Sequence, residues 1–242
     1  MDTVFYEELT PGAFLRRIEQ APIAYLPLGT LEWHGPHLPL GSDGLQSRGL
    51  FAQLAREAGG VVLPMLFVGP DLTRTLDGFT YIGMDFWSRP EGEAPRQLPG
   101  SAYHMADEAF ASLLEAILAQ LRRAGFRIVV AHGHGPSTKA FMAHAREWEE
   151  KFGLLLRCAW SEDDKIGFQT DHAAANETSI MMYFHPELVD MAALPQDPDC
   201  RPEGITGEDP RYHASAGLGQ AATGETAARL GRELRALCRQ LK

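Results

Sequence analysis

The sequence is poor in cysteine. Its three cysteines, Cys158, Cys200 and Cys238, are far apart, odd in number and form no C-x-x-C pair. That excludes a disulfide framework and predicts a reducing compartment, so a cytoplasmic protein. Long apolar runs are missing too. Nothing approaches the roughly 18 consecutive apolar residues of a membrane span. Met1-Asp2-Thr3-Val4 has no basic region leading into an apolar stretch, which predicts no secretory leader. Positive charge is in deficit: 22 Lys and Arg stand against 32 Asp and Glu, a formal net charge of −10. This argues against nucleic acid as a partner. There is no internal repeat and no low-complexity tract. A chain of 242 residues can bury enough surface to need no disulfide staple.

What is present alternates between strand and helix patterns. Thr10-Pro11 reads as an N-cap followed by proline at the first helical position, with Phe14, Leu15 and Ile18 on one face. The apolar run Ile23 to Leu28 reads as a buried strand. Leu45, Leu50, Phe51 and Leu54 recur at helical spacing, and Gly59-Gly60 ends that helix. Further strands are predicted at Val61–Val68, Arg127–Ala131 and Leu154–Trp160, and helices at Ala106–Ala124, from Ser137 to about Lys151, from Asn176 or Glu177 to Phe184, and from about Ala222 to Leu241. This order predicts a three-layer α/β/α fold with a mainly parallel sheet. No linker separates two halves, so a single domain over residues 1–242 is expected. The segments Asp71–Ser101 and Pro195–Gly219 lack the pattern and read as long functional or interface loops.

Chemistry concentrates where strands end. The stretch Gly29-Thr30-Leu31-Glu32-Trp33-His34-Gly35-Pro36-His37-Leu38-Pro39-Leu40-Gly41-Ser42-Asp43 directly follows the first strand. Carboxylates and imidazoles are the usual ligands of zinc, manganese and iron in open hydrolytic sites. Glu32 and His34 are two apart, so in extended chain both point the same way. His132-Gly133-His134-Gly135-Pro136-Ser137 follows the third strand. In open parallel sheets ligands gather beyond the carboxyl ends of the strands, which puts both loops at one edge. A third polar stretch, Asp171-His172-Ala173-Ala174-Ala175-Asn176-Glu177-Thr178-Ser179, follows the fourth strand.

These motifs carry a resemblance. Residues 26–43, the run Val129-Val130-Ala131-His132-Gly133-His134-Gly135, and His172 with Glu177-Thr178-Ser179 resemble the creatininase (creatinine amidohydrolase) family of metal-dependent amidohydrolases. The likeness covers roughly residues 8–190. It implies a creatininase-like fold, a homo-oligomer such as a hexamer, and one or two divalent ions held by Glu32, His34, Asp43 and His134. It also implies that His172 acts on the substrate. A carboxylate such as Asp43 can bridge two cations that together polarise an amide and hold a hydroxide. The family often has Asn on either side of the Gly-His-Gly loop, where this chain has His132 and Ser137. Creatininase itself has a metal-binding Glu two residues after the loop His, where this chain has Pro136, which offers no donor. Glu177 or a water is then the candidate to complete the second ion's shell.

The expectation is a hydrolase in which metal-held hydroxide attacks an amide-type C–N bond of a cyclic amide, a formamide or a short peptide, with no residue assigned to substrate binding. The competing expectation is a catalytically weak binding or maturation protein that keeps a structural metal. Several residues have two readings. Asp43 can be a ligand or the cap of the following helix. His37 can be a ligand or part of a packed loop, and Glu177 a ligand or a helix-dipole acid. His132 reads as a structural neighbour of the site. Arg74 and Arg89 can hold a substrate carboxylate or sit in surface ion pairs.

Overall fold

The computed structural model describes residues 3–87 and 93–241; Arg89 lies outside the described residues. The elements in chain order are α1 (Pro11–Gln20), β1 (Ile23–Leu28), α2 (Ser42–Glu57), β2 (Val61–Val62), β3 (Thr73–Leu76), β4 (Phe79–Ile82), α3 (Met84–Trp87), α4 (Asp107–Arg123), β5 (Ile128–Gly133), α5 (Gly135–Ala143), α6 (Ala145–Phe152), β6 (Leu155–Arg157), α7 (Ala175–Phe184), α8 (Pro210–His213) and α9 (Ala216–Gln240). One parallel sheet runs in the order β2-β1-β5-β6.

The unbroken apolar runs of β1 and β5 follow from burial on both faces. Ile23 and Tyr25 of β1 and Ile128 and Val130 of β5 face one layer, with Phe51 and Leu54 of α2 and Leu230 and Leu234 of α9. Ala24, Leu26, Val129 and Ala131 face the other, with Phe110, Leu114 and Leu118 of α4 and Trp148 of α6. The fold is thus helix, sheet, helix, as the alternation predicts.

Thr10 caps α1 by accepting from Ala13 N–H, with Pro11 next, as its sequence implies. Five expectations need correction. The strand expected at Val61–Val68 is regular only at Val61–Val62: Leu63 N–H still reaches the Tyr25 carbonyl, but the register then slips by one residue and Leu66 returns as a single bridge to Leu28. The strand expected at Leu154–Trp160 is shorter, ending at Arg157. The helix expected from Ser137 begins at Gly135, with Pro136 in its first turn, and divides in two at His144. The last helix starts six residues early, at Ala216, because the Ser215 hydroxyl accepts from Leu218 N–H. Segment 71–101 is not all loop. It holds the exposed hairpin β3–β4, turned by Asp77-Gly78 with positive φ at both residues, and the short helix α3. Among the described residues, no helix is long and apolar enough to cross a membrane.

Candidate metal centre

Register sets the site. Leu28 at the end of β1 pairs with Gly133 at the end of β5, and His134 N–H donates to the Leu28 carbonyl at 3.0 Å. A side chain at 133 would sit 1.6 Å from that carbonyl oxygen, and Gly133 has φ +146°, so only glycine lets the strands end this closely. The loops leaving β1 and β5 therefore emerge side by side, carrying Glu32, His34 and His134. The first turn of α2 adds Asp43. The start of α7 adds Glu177, with His172 in the loop before it. These six are the residues singled out in the sequence, and they converge.

Their donors form three close groups: Glu32, Asp43 and His134; His34, Asp43 and Glu177; and Glu32, His34 and His172. Within each, the ligating atoms lie within 4.8 Å of one another. His134 Nε2 is 3.6 Å from Glu32 Oε2. His34 Nε2 is 3.4 Å from Asp43 Oδ1 and 3.8 Å from Glu177 Oε2. His34 Nδ1 lies 3.0 Å from the Glu32 carbonyl oxygen. A carbonyl only accepts, so Nδ1 keeps its proton and Nε2 is the atom turned to the carboxylates, where it has no hydrogen-bond partner. His134 Nδ1 meets Ser137 Oγ at 3.0 Å, which likewise leaves Nε2 facing the acids.

Two contributors were not singled out in the sequence. Asp71 Oδ2 lies 3.8 Å from His134 Nε2. It follows Gly69-Pro70 just past the second apolar run, so the rule that sites gather at the carboxyl ends of strands could have found it. Gly83 makes room for it, since a Cβ there would meet Asp71 Oδ2 at 2.2 Å and Glu32 Oε1 at 2.8 Å. Gln169 Nε2 donates to the Asp43 backbone carbonyl at 3.2 Å, while its Oε1 accepts from Ser47 Oγ at 3.1 Å. No local pattern marks it.

The remaining residues take other places. Asp43 makes no capping bond; Gly41 occupies the N-cap of α2. His37 joins none of the donor groups, and its Nε2 meets Thr178 Oγ1 at 2.8 Å, tying the loop to α7. His132 is buried edge-on to Trp160 with neither ring nitrogen partnered. Arg74 lies on the exposed hairpin.

Electrostatics show what the donors lack. Burial first, and then Asp71, Asp43 and Glu177, push Glu32 well above the ordinary carboxylate range against the pull of His34. Burial and Asp43 do the same to Glu177. Burial raises Asp71 to about 6. Burial acts on His34 in the opposite sense, but Asp43, Glu177 and Glu32 outweigh it and hold this imidazole up at about 10. Asp43 is kept below the carboxylate range because His34, His134 and His172 outweigh its burial. His134 is lowered to about 4 and His172 to about 3, each mainly by burial. Buried acids that resist ionising, beside an unpartnered imidazole nitrogen, fit a divalent cation. The mixed O/N donor set suits zinc, manganese or iron(II).

The site opens into a cavity of about 520 Å³ whose walls include Trp87 and Trp160. His172 sits at its edge, its ring stacked on His34 at 4.4 Å. His172 Nε2 lies 2.9 Å from the Trp33 carbonyl oxygen, so Nε2 donates and Nδ1 keeps a free lone pair.

A parallel α/β sheet with an acid–imidazole cluster beyond its strand ends defines a class of protein, and comparison narrows it. The chain matches the family model "Creatininase: Creatinine amidohydrolase" over residues 7–241, and it belongs to the creatininase family. It is 26% identical over 218 residues to the creatinine amidohydrolase of Pseudomonas putida, covering 81% of this chain and 77% of that one. It is 26% identical over 133 residues to the 3-dehydro-scyllo-inosose hydrolase of Thermotoga maritima, covering 54% of this chain and only 36% of that one. A solved manganese form of creatininase shares the fold, with a TM-score of 0.71 at 20% identity over 98% of this chain and 99% of that one.

Proposed function

We propose that the chain is a metal-dependent hydrolase of amide-type C–N bonds, one domain holding two divalent ions. The observation that carries this reading is the sharing of Asp43 between two donor groups, one with Glu32 and His134, the other with His34 and Glu177. A carboxylate common to two ligand sets is what a bridged pair of ions requires. When bound, such ions polarise an amide oxygen and make water nucleophilic at neutral pH.

The chain's own residues supply the rest. Glu177 stands where the second group needs an acid, so the absence of a donor at Pro136 does not weigh against two ions. This favours a hydrolase over a binding or maturation protein with one structural metal. The Glu32 carbonyl and Ser137 orient His34 and His134, and Gln169 and Ala173 N–H hold the Asp43 and Glu177 segments. His172, with Nε2 committed to Trp33, offers Nδ1 to take a proton and return it to the leaving nitrogen. Trp87 and Trp160 give the cavity apolar walls. Its volume falls in the small-molecule range. A cyclic amide, a formamide or a short peptide fits these requirements. The relatives' names, an amidohydrolase and a hydrolase, agree with the reaction class. Leu72, Leu76, Phe79 and Trp87 stand exposed, which supports the homo-oligomer that family membership suggests.

Protein purified without chelator should carry one or two equivalents of zinc, manganese or iron by elemental analysis, and should hydrolyse members of an amide panel. Metal well below one equivalent, not restored by added zinc or manganese, would overturn the reading.

A further inference from the structure

We propose that Lys139 recognises an anion, and that the substrate carries a carboxylate or similar group about one helical turn from the amide that reacts. This rests on the hydrolase reading above. Among the described residues that line the cavity, Lys139 is the one Lys or Arg. The other charged walls are acids, and each is already engaged. Glu32, Asp43 and Glu177 belong to the donor groups. Asp71 lies against His134 and accepts from Leu72 N–H. The Asp171 carboxylate accepts from Asn176 N–H at 2.7 Å and Glu177 N–H at 3.1 Å, fixing the start of α7.

Among the described residues Lys139 is engaged by nothing. It is exposed and, among the described residues, makes no hydrogen bond or ion pair, whereas Lys151 on the next helix pairs with Glu115 at 2.9 Å. It lies on α5 four residues after Gly135, hence on the same helix face and about 6 Å further along the axis. Gly135 and Pro136, in the first turn of α5, line the same cavity, and no side chain caps that turn. A ligand whose amide reaches the donor groups extends along α5 towards the ammonium. With the buried acids neutralised by divalent ions, Lys139 is the charge that remains for a ligand to satisfy. A carboxylate-bearing amide satisfies it; a cationic one does not.

The test is calorimetric binding to metal-loaded protein of two half-amides, succinamate and glutaramate, beside their neutral diamides. The native protein should prefer a half-amide by about tenfold or more, the scale of a charge-assisted hydrogen bond. Lys139→Met should bring that ratio close to one, and Lys139→Arg should keep most of it. A native protein without the preference would overturn the proposal. So would a preference that survives in Lys139→Met, since the carboxylate would then sit on the metals. Ammonia release followed in parallel separates the two readings. Release without any half-amide preference removes Lys139 and leaves the hydrolase. Preference without release supports Lys139 and counts against the hydrolase.

Discussion

The two sides of the site are built by different means. Glu32 and His134 leave the ends of neighbouring parallel strands, and main-chain bonds fix where they go: Leu28 opposite Gly133, and His134 N–H on the Leu28 carbonyl. His172 comes from an irregular loop in which Gln169 and Ala173 hold positive φ, 54° and 52°, and Glu177 from the first turn of α7 that this loop leads into. Side chains hold that loop. Asn176 Oδ1 accepts from Thr170 N–H, Asp171 accepts from Asn176 N–H and Glu177 N–H, and Glu177 Oε2 accepts from Ala173 N–H. Strained backbone of this kind persists only where its surroundings over-determine it. The strand side is therefore set by the fold itself. The loop side is set by a few polar side chains, one of which is itself a proposed ligand. Asp43 belongs to both.

The largest expected effect tests that shared residue. Asp43→Ala should lose both ions and bring hydrolysis to background. Glu32→Gln and Glu177→Gln, each touching only one of the two donor groups that share Asp43, should each leave one ion bound. Elemental analysis of the three variants decides it. A full equivalent of metal retained in Asp43→Ala would mean that the two sides bind independently, without a common carboxylate.

Next in size is His172→Gln, which separates chemistry from metal holding on the loop side. Hydrolysis should fall by roughly 10²–10⁴, the usual worth of a general acid–base group, while metal content stays normal. Near-native activity would remove His172 from proton transfer. Loss of metal instead would place its ring among the ligands, a role open to it through the group with Glu32 and His34.

The same contrast explains what could be read from the sequence. The strand side was legible because two local signals coincide there: a buried apolar run, and a Gly-rich polar loop just after it. The sheet and both helical layers follow from the same alternation. On the loop side His172 and Glu177 were marked by family likeness, but their support was not. Gln169 reaches Asp43 across 126 positions of chain, and no periodicity encodes such a contact. Asp71 went unmarked although it follows the second apolar run by three residues, because no His or Glu stands near it to mark a motif. The hairpin in segment 71–101 was missed although Asp77-Gly78 is a strong turn signal, because its strands are exposed and lack an apolar face. The start of α9 was hidden by Gly217 and Gly219, which dilute the apolar pattern that Ser215 caps.

The smallest expected effect concerns pH, and it appears when the ions are taken away. In chelated protein the two sides face each other across His34, the cluster's one strongly cationic imidazole. Burial pulls its pKa down, but Asp43, Glu177 and Glu32 carry it from 6.5 to about 10. A group whose folded pKa is raised holds its proton more tightly in the folded state. Its stabilisation is complete below about 6.5 and is lost as pH rises through about 10. Glu32, Glu177 and Asp71 act in the same sense. Burial raises all of them, so as pH rises the folded protein holds protons that the unfolded chain has released, Asp71 only up to about pH 6. Asp43, His134 and His172 run the other way: burial depresses the two imidazoles, so what they cost the folded state in acid is relieved as pH rises to about 6.5. The Asp43 pKa is depressed, so its contribution is present above about 4 and is lost only in acid. Above the range where the unfolded imidazoles titrate, the melting temperature of chelated protein should therefore fall by several degrees, between roughly pH 7.5 and pH 9.5, a shift on the order of one or two kcal/mol in a chain of this size. Metal-loaded protein should show a much flatter profile, because cations take the place of the protons and the ligands are deprotonated throughout. Scanning calorimetry of both forms measures the difference. A chelated form that is flat or gains stability over this range would mean that the strand side and the loop side do not press their charges together.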